Sequence, residues 1–173
     1  NPNTSNRTVS WIINDGASNS SSATSTITVA RVNDAPTGSV SISGTAEEDQ
    51  ILTASNTLAD ADGLGTVSYQ WNRAGSAIDG ATGSTYTLVQ DDVGSAITVT
   101  ASYTDGQGTA ESVTSSATSA VANVNDVPTG SITISGVVQD NEKLTASHTL
   151  ADTDGLGVID YQWRRNGSLI PVA

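Results

Sequence analysis

The sequence has no cysteine, methionine or phenylalanine, and only six basic residues against eighteen acidic ones. Without cysteine there is no disulfide framework and no thiolate metal site. A net charge of −12 speaks against a nucleic-acid partner, because a polyanion needs a basic footprint. It speaks equally against an anionic membrane surface. No apolar run approaches the roughly 20 residues that cross a bilayer as a helix, so no membrane insertion is expected. The opening NPNTSNRTVSW has neither the basic start nor the apolar core of a signal peptide. An export address would lie outside these residues. With a single histidine and no cysteine, no nucleophile–base pair can be assembled, and an enzyme is not expected. An acidic balance with little lysine suits a soluble surface or a divalent-cation binder.

What the sequence does have is a repeat. VNDAPTGSVSISG begins at Val32 and VNDVPTGSITISG at Val124. The offset of 92 holds without a gap to Ala81 and Ala173, and well over half of the aligned positions are identical. A fixed period of this kind marks tandem units. The complete unit is 32–123, the size of a small β-sandwich. Residues 124–173 are the N-terminal half of the next unit. Residues 1–31, ending in TITVARVNDAP, are the last strands of a preceding one.

Strand periodicity runs through the complete unit, and no segment sustains a helical period. Val40 and Ile42 share one face. ILTAS follows, and then TVSYQWNR, with Val67, Tyr69 and Trp71 in phase. A short strand lies near Ile78, and STYTLV offers Tyr86 and Leu88. Ile97, Val99, Ala101 and Tyr103 alternate in the next strand, DGQG makes a hairpin turn, and a long Ser/Thr/Val strand over about 110–123 closes the unit. Some seven short strands with turn signals between them predict a two-sheet sandwich. In the first segment Val9, Trp11 and Ile13 alternate before Asp15-Gly16, like Val99, Ala101 and Tyr103 before Asp105-Gly106. Trp71 and Tyr69, in phase within one strand, read as core rather than as a sugar-stacking face. His148 aligns with Asn56 and reads as a surface residue.

YQW in the third strand and DDVGSAITV before a late strand resemble an immunoglobulin-like domain without its disulfide. Trp71 and Trp163 stand where the buried tryptophan of strand C stands, and Asp92-Val93-Gly94 matches the turn before strand F. Ile97 and Val99 occupy the places of the corner tyrosine and the second cysteine, a departure from the pattern. The whole unit is similar to the bacterial Ig-like and cadherin-like repeats of very large secreted adhesins, including RTX-type ones. The nonapeptide Gly/Asp repeat that names RTX proteins is absent. The resemblance implies an all-β chain of tandem Ig-like β-sandwiches, incomplete at both ends. It implies an extracellular, cell-surface location and a stalk or spacer role in cell adhesion. The partners would be neighbouring repeats of the same chain, and a surface or matrix target bound elsewhere in the parent protein. A carbohydrate- or protein-binding module, or an accessory array of a secreted enzyme, are the alternatives.

In such a sandwich the loops gather at two ends. LADADGLG lies between strands B and C, which puts Asp60 and Asp62 beside Asp105 of the F–G turn and beside Asn33 and Asp34 of the linker. At the other end lie Glu47, Glu48 and Asp49 of the A–B turn, with Asp91 and Asp92 of the E–F turn. The next linker follows with Asn125 and Asp126, and then the next LADTDGLG loop with Asp152 and Asp154. Calcium takes six to eight oxygens in flexible geometry. The layout resembles cadherin junctions, whose linker and B–C loop aspartates bind Ca2+, although VNDAP lacks the second asparagine. LADADGLG is not an EF-hand, because the twelfth position from Asp60 is Trp71. Asp and Asn also favour turns through side-chain-to-backbone bonds, and Asp-Gly is a common turn pair. A calcium site at each junction and plain turn chemistry are both open at this point.

Overall fold

The computed structural model of the chain describes residues 3–170; the outermost residues of both flanking segments, 1–2 and 171–173, lie outside these. The described chain is all-β, apart from one short 3-10 turn at Gln90–Asp92. Strands β1 (Arg7–Trp11) and β2 (Ala23–Ile27) form a hairpin. The complete repeat contains β3 (Val40–Ser43), β4 (Ile51–Asn56), β5 (Ser68–Arg73), β6 (Ser76–Ala77), β7 (Thr85–Thr87), β8 (Ile97–Thr104) and β9 (Ala110–Thr114). The last segment contains β10 (Ile132–Ser135), β11 (Thr145–His148), β12 (Arg164–Arg165) and β13 (Ser168–Leu169).

Within the complete repeat two antiparallel sheets form, ordered β3-β4-β7 and β6-β5-β8-β9. Their facing sides make one core of Val40, Leu52, Ala54, Trp71, Leu88, Ile97, Val99, Ala101 and Tyr103. The cause is the two-residue period: alternate positions of β8 are buried from Ile97 to Tyr103, while the threonines and serine between them face outward. Trp71 lies opposite Val99 in the sheet and is fully buried. Its indole N–H donates to the Gly83 carbonyl at 2.9 Å, and its ring stacks on Tyr86 at 5.8 Å. The polar edge of this large side chain is thereby satisfied inside the core.

Two elements differ from the sequence pattern. Regular strand ends at Thr114 instead of running to 123. The reason lies in two hydroxyls: Ser115 Oγ accepts the Val99 N–H and Thr118 Oγ1 accepts the Ile97 N–H. Side chains thus take ladder bonds that a regular strand would give to carbonyls. The chain then makes isolated bridges from Ala120, Val121 and Ala122 to Ala96, Val93 and Glu47. In the last segment β12 keeps only two residues of the strand that is six residues long in the complete repeat. There β5 is held mainly by β8, and no counterpart of β8 occurs in 124–170. The β10–β11 pair keeps the repeat's register, with Ile132 opposite His148 as Val40 is opposite Asn56.

Candidate metal centre

The loop 57–67 and the turn 105–109 meet at the end of the sandwich where the chain enters. Glycine permits the approach: a Cβ on Gly106 would lie 2.6 Å from the Asp62 carbonyl oxygen, and one on Gly65 would overlap the Thr104 carbonyl. The Gly106 N–H donates to the Gly63 carbonyl at 2.9 Å, tying the two loops backbone to backbone. This contact carries three aspartates inward. Carboxylate oxygens of Asp60, Asp62 and Asp105 lie within 4.8 Å of one another.

Each of the three is built in. Asp60 Oδ1 accepts the Asp62 N–H at 2.7 Å, the Asx turn its spacing favours, and Oδ2 accepts the Tyr103 hydroxyl at 2.6 Å. The Tyr103 pKa is raised, first by burial and then by this bond to Asp60, so the phenol stays a donor. Asp62 Oδ2 accepts the Asp34 N–H at 2.7 Å, which fastens the linker, and Oδ1 accepts the Gln107 amide. Asp105 Oδ1 accepts the N–H groups of Gln107 and Thr109 at 2.8 and 2.7 Å. Its Oδ2 is buried with no hydrogen-bond partner among the described residues, in a residue only 6% exposed. Neither Asp60 nor Asp105 forms an ion pair among those residues. A buried carboxylate oxygen without a donor is costly, and Asp105 shares its group with two further carboxylates. All-oxygen, all-carboxylate donors are the chemistry that hard divalent ions such as Ca2+ take. These residues could supply carboxylate oxygens to part of such an ion's shell.

A second group forms where the complete repeat meets the next. Oxygens of Glu48, Asp126 and Asp154 lie within 4.8 Å of one another. The Asp126 N–H donates to Asp154 Oδ2 at 2.6 Å, reproducing the Asp34–Asp62 bond one repeat later. Asp152 accepts the Asp154 N–H at 3.0 Å, as Asp60 does from Asp62. Glu48, 5% exposed, accepts the Val124 N–H at 3.3 Å.

Of the candidate residues, Asp60, Asp62 and Asp105 come together, and so do Asp126 and Asp154. The linker's Asp34 takes part through its backbone. The Asn33 amide turns to Glu111 at 2.7 Å, and the Asn125 amide to the Asp126 carbonyl at 2.8 Å. Asp91 and Asp92 belong to neither group. Asp91 is exposed, 3.8 Å from Arg73. Asp92 is fully buried, where its oxygens accept Arg73 Nε at 2.7 Å and the Tyr86 hydroxyl and Val89 N–H, both at 2.9 Å. It is a core lock that ties the 3-10 turn to β5 and β7. Glu48 does not stand out from its neighbours in the sequence as a ligand candidate. TAEEDQ shows three adjacent acids, and only the fold reveals which one turns inward. His148, exposed, accepts the Leu150 N–H through Nδ1 at 3.2 Å, the same bond that Asn56 makes to Leu58. The repeat needs an acceptor there, and either side chain supplies it.

No family model matches this chain, and no curated protein or solved structure matches it either.

Proposed function

We propose that the chain is a run of structural repeats from the stalk of a large extracellular bacterial adhesin, Ig-like in plan, with a divalent cation, calcium, joining successive repeats. The observation that carries the reading is the buried, unpartnered oxygen of Asp105, a residue grouped with Asp60 and Asp62, at the end where Asp62 pins the linker at Asp34. The same linker bond at Asp126–Asp154, now with Glu48 of the previous repeat in the group, supports a junction role over an isolated turn. The cation would be held by these carboxylates and would neutralise charge that otherwise pushes the repeats apart. A sugar-binding module has less support, because Trp71 and Tyr103 are buried and Tyr69 and Tyr86 are half-buried. The complete repeat therefore offers no exposed aromatic face for stacking.

The test is a thermal melt of the full chain in millimolar calcium and in excess EDTA. A ligand at about 100 times its Kd stabilises by roughly 2.7 kcal/mol, on the order of 10 °C for a domain this size. Coincident melts, with no calcium bound in titration calorimetry, would overturn the cation reading.

A further inference from the structure

The candidate centre contains a competitor for its own cation. Gln107 sits in the turn between β8 and β9. Its backbone N–H is held by Asp105 Oδ1 at 2.8 Å, and its side-chain amide donates to Asp62 Oδ1 at 2.5 Å. One residue thus touches two of the three carboxylates. The amide puts a partial positive charge against Asp62, where the group of Asp60, Asp62 and Asp105 would otherwise meet a metal ion. It does not also reach Asp105 Oδ2, which has no hydrogen-bond partner among the described residues.

We propose that Gln107 is an internal plug: its amide stabilises the cation-free centre and must leave Asp62 Oδ1 when a divalent cation binds. This rests on the cation reading above. A side chain that stabilises only the free state lowers apparent affinity by the amount of that stabilisation. Removing it therefore tightens binding.

The first segment carries the contrasting case. Its hairpin turn runs Asp15-Gly16-Ala17-Ser18 where the complete repeat has Asp105-Gly106-Gln107-Gly108. Asp15 Oδ1 accepts the N–H groups of Ala17 and Ser18, both at 2.9 Å, much as Asp105 Oδ1 accepts those of Gln107 and Thr109. The aspartate and its backbone bonds are kept, and alanine stands at the plug position. The two turns thus share the aspartate and differ at the plug position.

The experiment compares the full chain with its Gln107→Ala variant, by calcium titration calorimetry and by melts with calcium and with EDTA. The side chain lies on a surface turn, and the EDTA melt itself reports whether the repeat still folds. The expected result is about tenfold tighter calcium binding in Gln107→Ala, the size of one hydrogen bond to a charged acceptor. Its melting temperature falls in EDTA and matches the parent in saturating calcium. If Gln107→Ala binds calcium equally or more weakly while the parent binds, the plug is overturned and the amide is inert or a ligand. If neither chain binds calcium, the cation reading falls, and the plug with it.

Discussion

Asp105 and Asp92 are both buried aspartates, and their surroundings assign them opposite work. Asp92 has donors for both oxygens, including the Arg73 guanidinium. Asp92→Ala removes that guanidinium's 2.7 Å partner and frees the Tyr86 hydroxyl. The expected loss is about 3 kcal/mol, at the low end for a broken buried pair, since Arg73 keeps Asp91 nearby and is partly exposed. Urea unfolding of the full chain measures it, and calcium should not alter the difference. Asp105 is the reverse case. An asparagine there keeps the acceptor for Gln107 and Thr109 and puts a donor in place of the orphan oxygen within the carboxylate group. Asp105→Asn is therefore expected to raise stability in EDTA, by about 1–2 kcal/mol, and to abolish the calcium response. A variant less stable in EDTA would mean that Oδ2 already has a partner in solution. The aspartate spacing and the sandwich order were enough to bring Asp60, Asp62 and Asp105 together on paper. They could not tell Asp91 from Asp92, because the inward turn of one of two adjacent carboxylates depends on a 3-10 turn of three residues.

Among the elements, strand length follows the partner and not the local sequence. YQW occurs in both repeats, yet it lies within a six-residue strand at 68–73 and outside regular strand at 161–163. The β8 ladder makes the difference, since β5 pairs with it from Ser68 to Arg73. Side-chain exposure follows: Ile132 and Ile134 are 60% and 64% exposed, while Val40, the counterpart of Ile132, is 6% exposed. Hydrogen exchange should accordingly protect the amides of Tyr69 to Asn72 far more than those of Tyr161 to Arg164, by orders of magnitude if the latter open locally. Equal protection would show that 124–170 finds a strand partner in solution. Alternation located β3, β5 and β8, each of which turns one face to the core, whereas β6 is exposed at both residues. Alternation failed on 115–123, where hydroxyls replace carbonyls as acceptors, a substitution invisible in a Ser/Thr-rich pattern. The approach of the two loops was readable only as a pair of Asp-Gly turns. The reason glycine is required at Gly106 appears once the Asp62 carbonyl is seen beside it.

For the whole molecule, the repeat period settled what a single-unit reading would have missed: the same linker bond recurs at 34–62 and at 126–154. Charge then becomes a property of the array. The chain carries −12, with acids gathered at the junctions, so under the proposed reading their repulsion would be strongest there in the absence of a cation. Small-angle scattering of the full chain should show a longer, narrower distribution in calcium than in EDTA at low ionic strength. Two mechanisms could give that result, bridging by the ion or simple screening, and salt separates them. At 1 M sodium chloride the Debye length falls to about 3 Å, which silences repulsion between exposed carboxylates such as Asp154 but reaches a buried one such as Glu48 poorly. If calcium bridges Glu48 to Asp126 and Asp154, sodium chloride alone will not reproduce the calcium profile, and Glu48→Gln will blunt the calcium effect while leaving the salt effect in place. If sodium chloride and calcium give superimposable curves, screening is sufficient and the junction holds no specific ion.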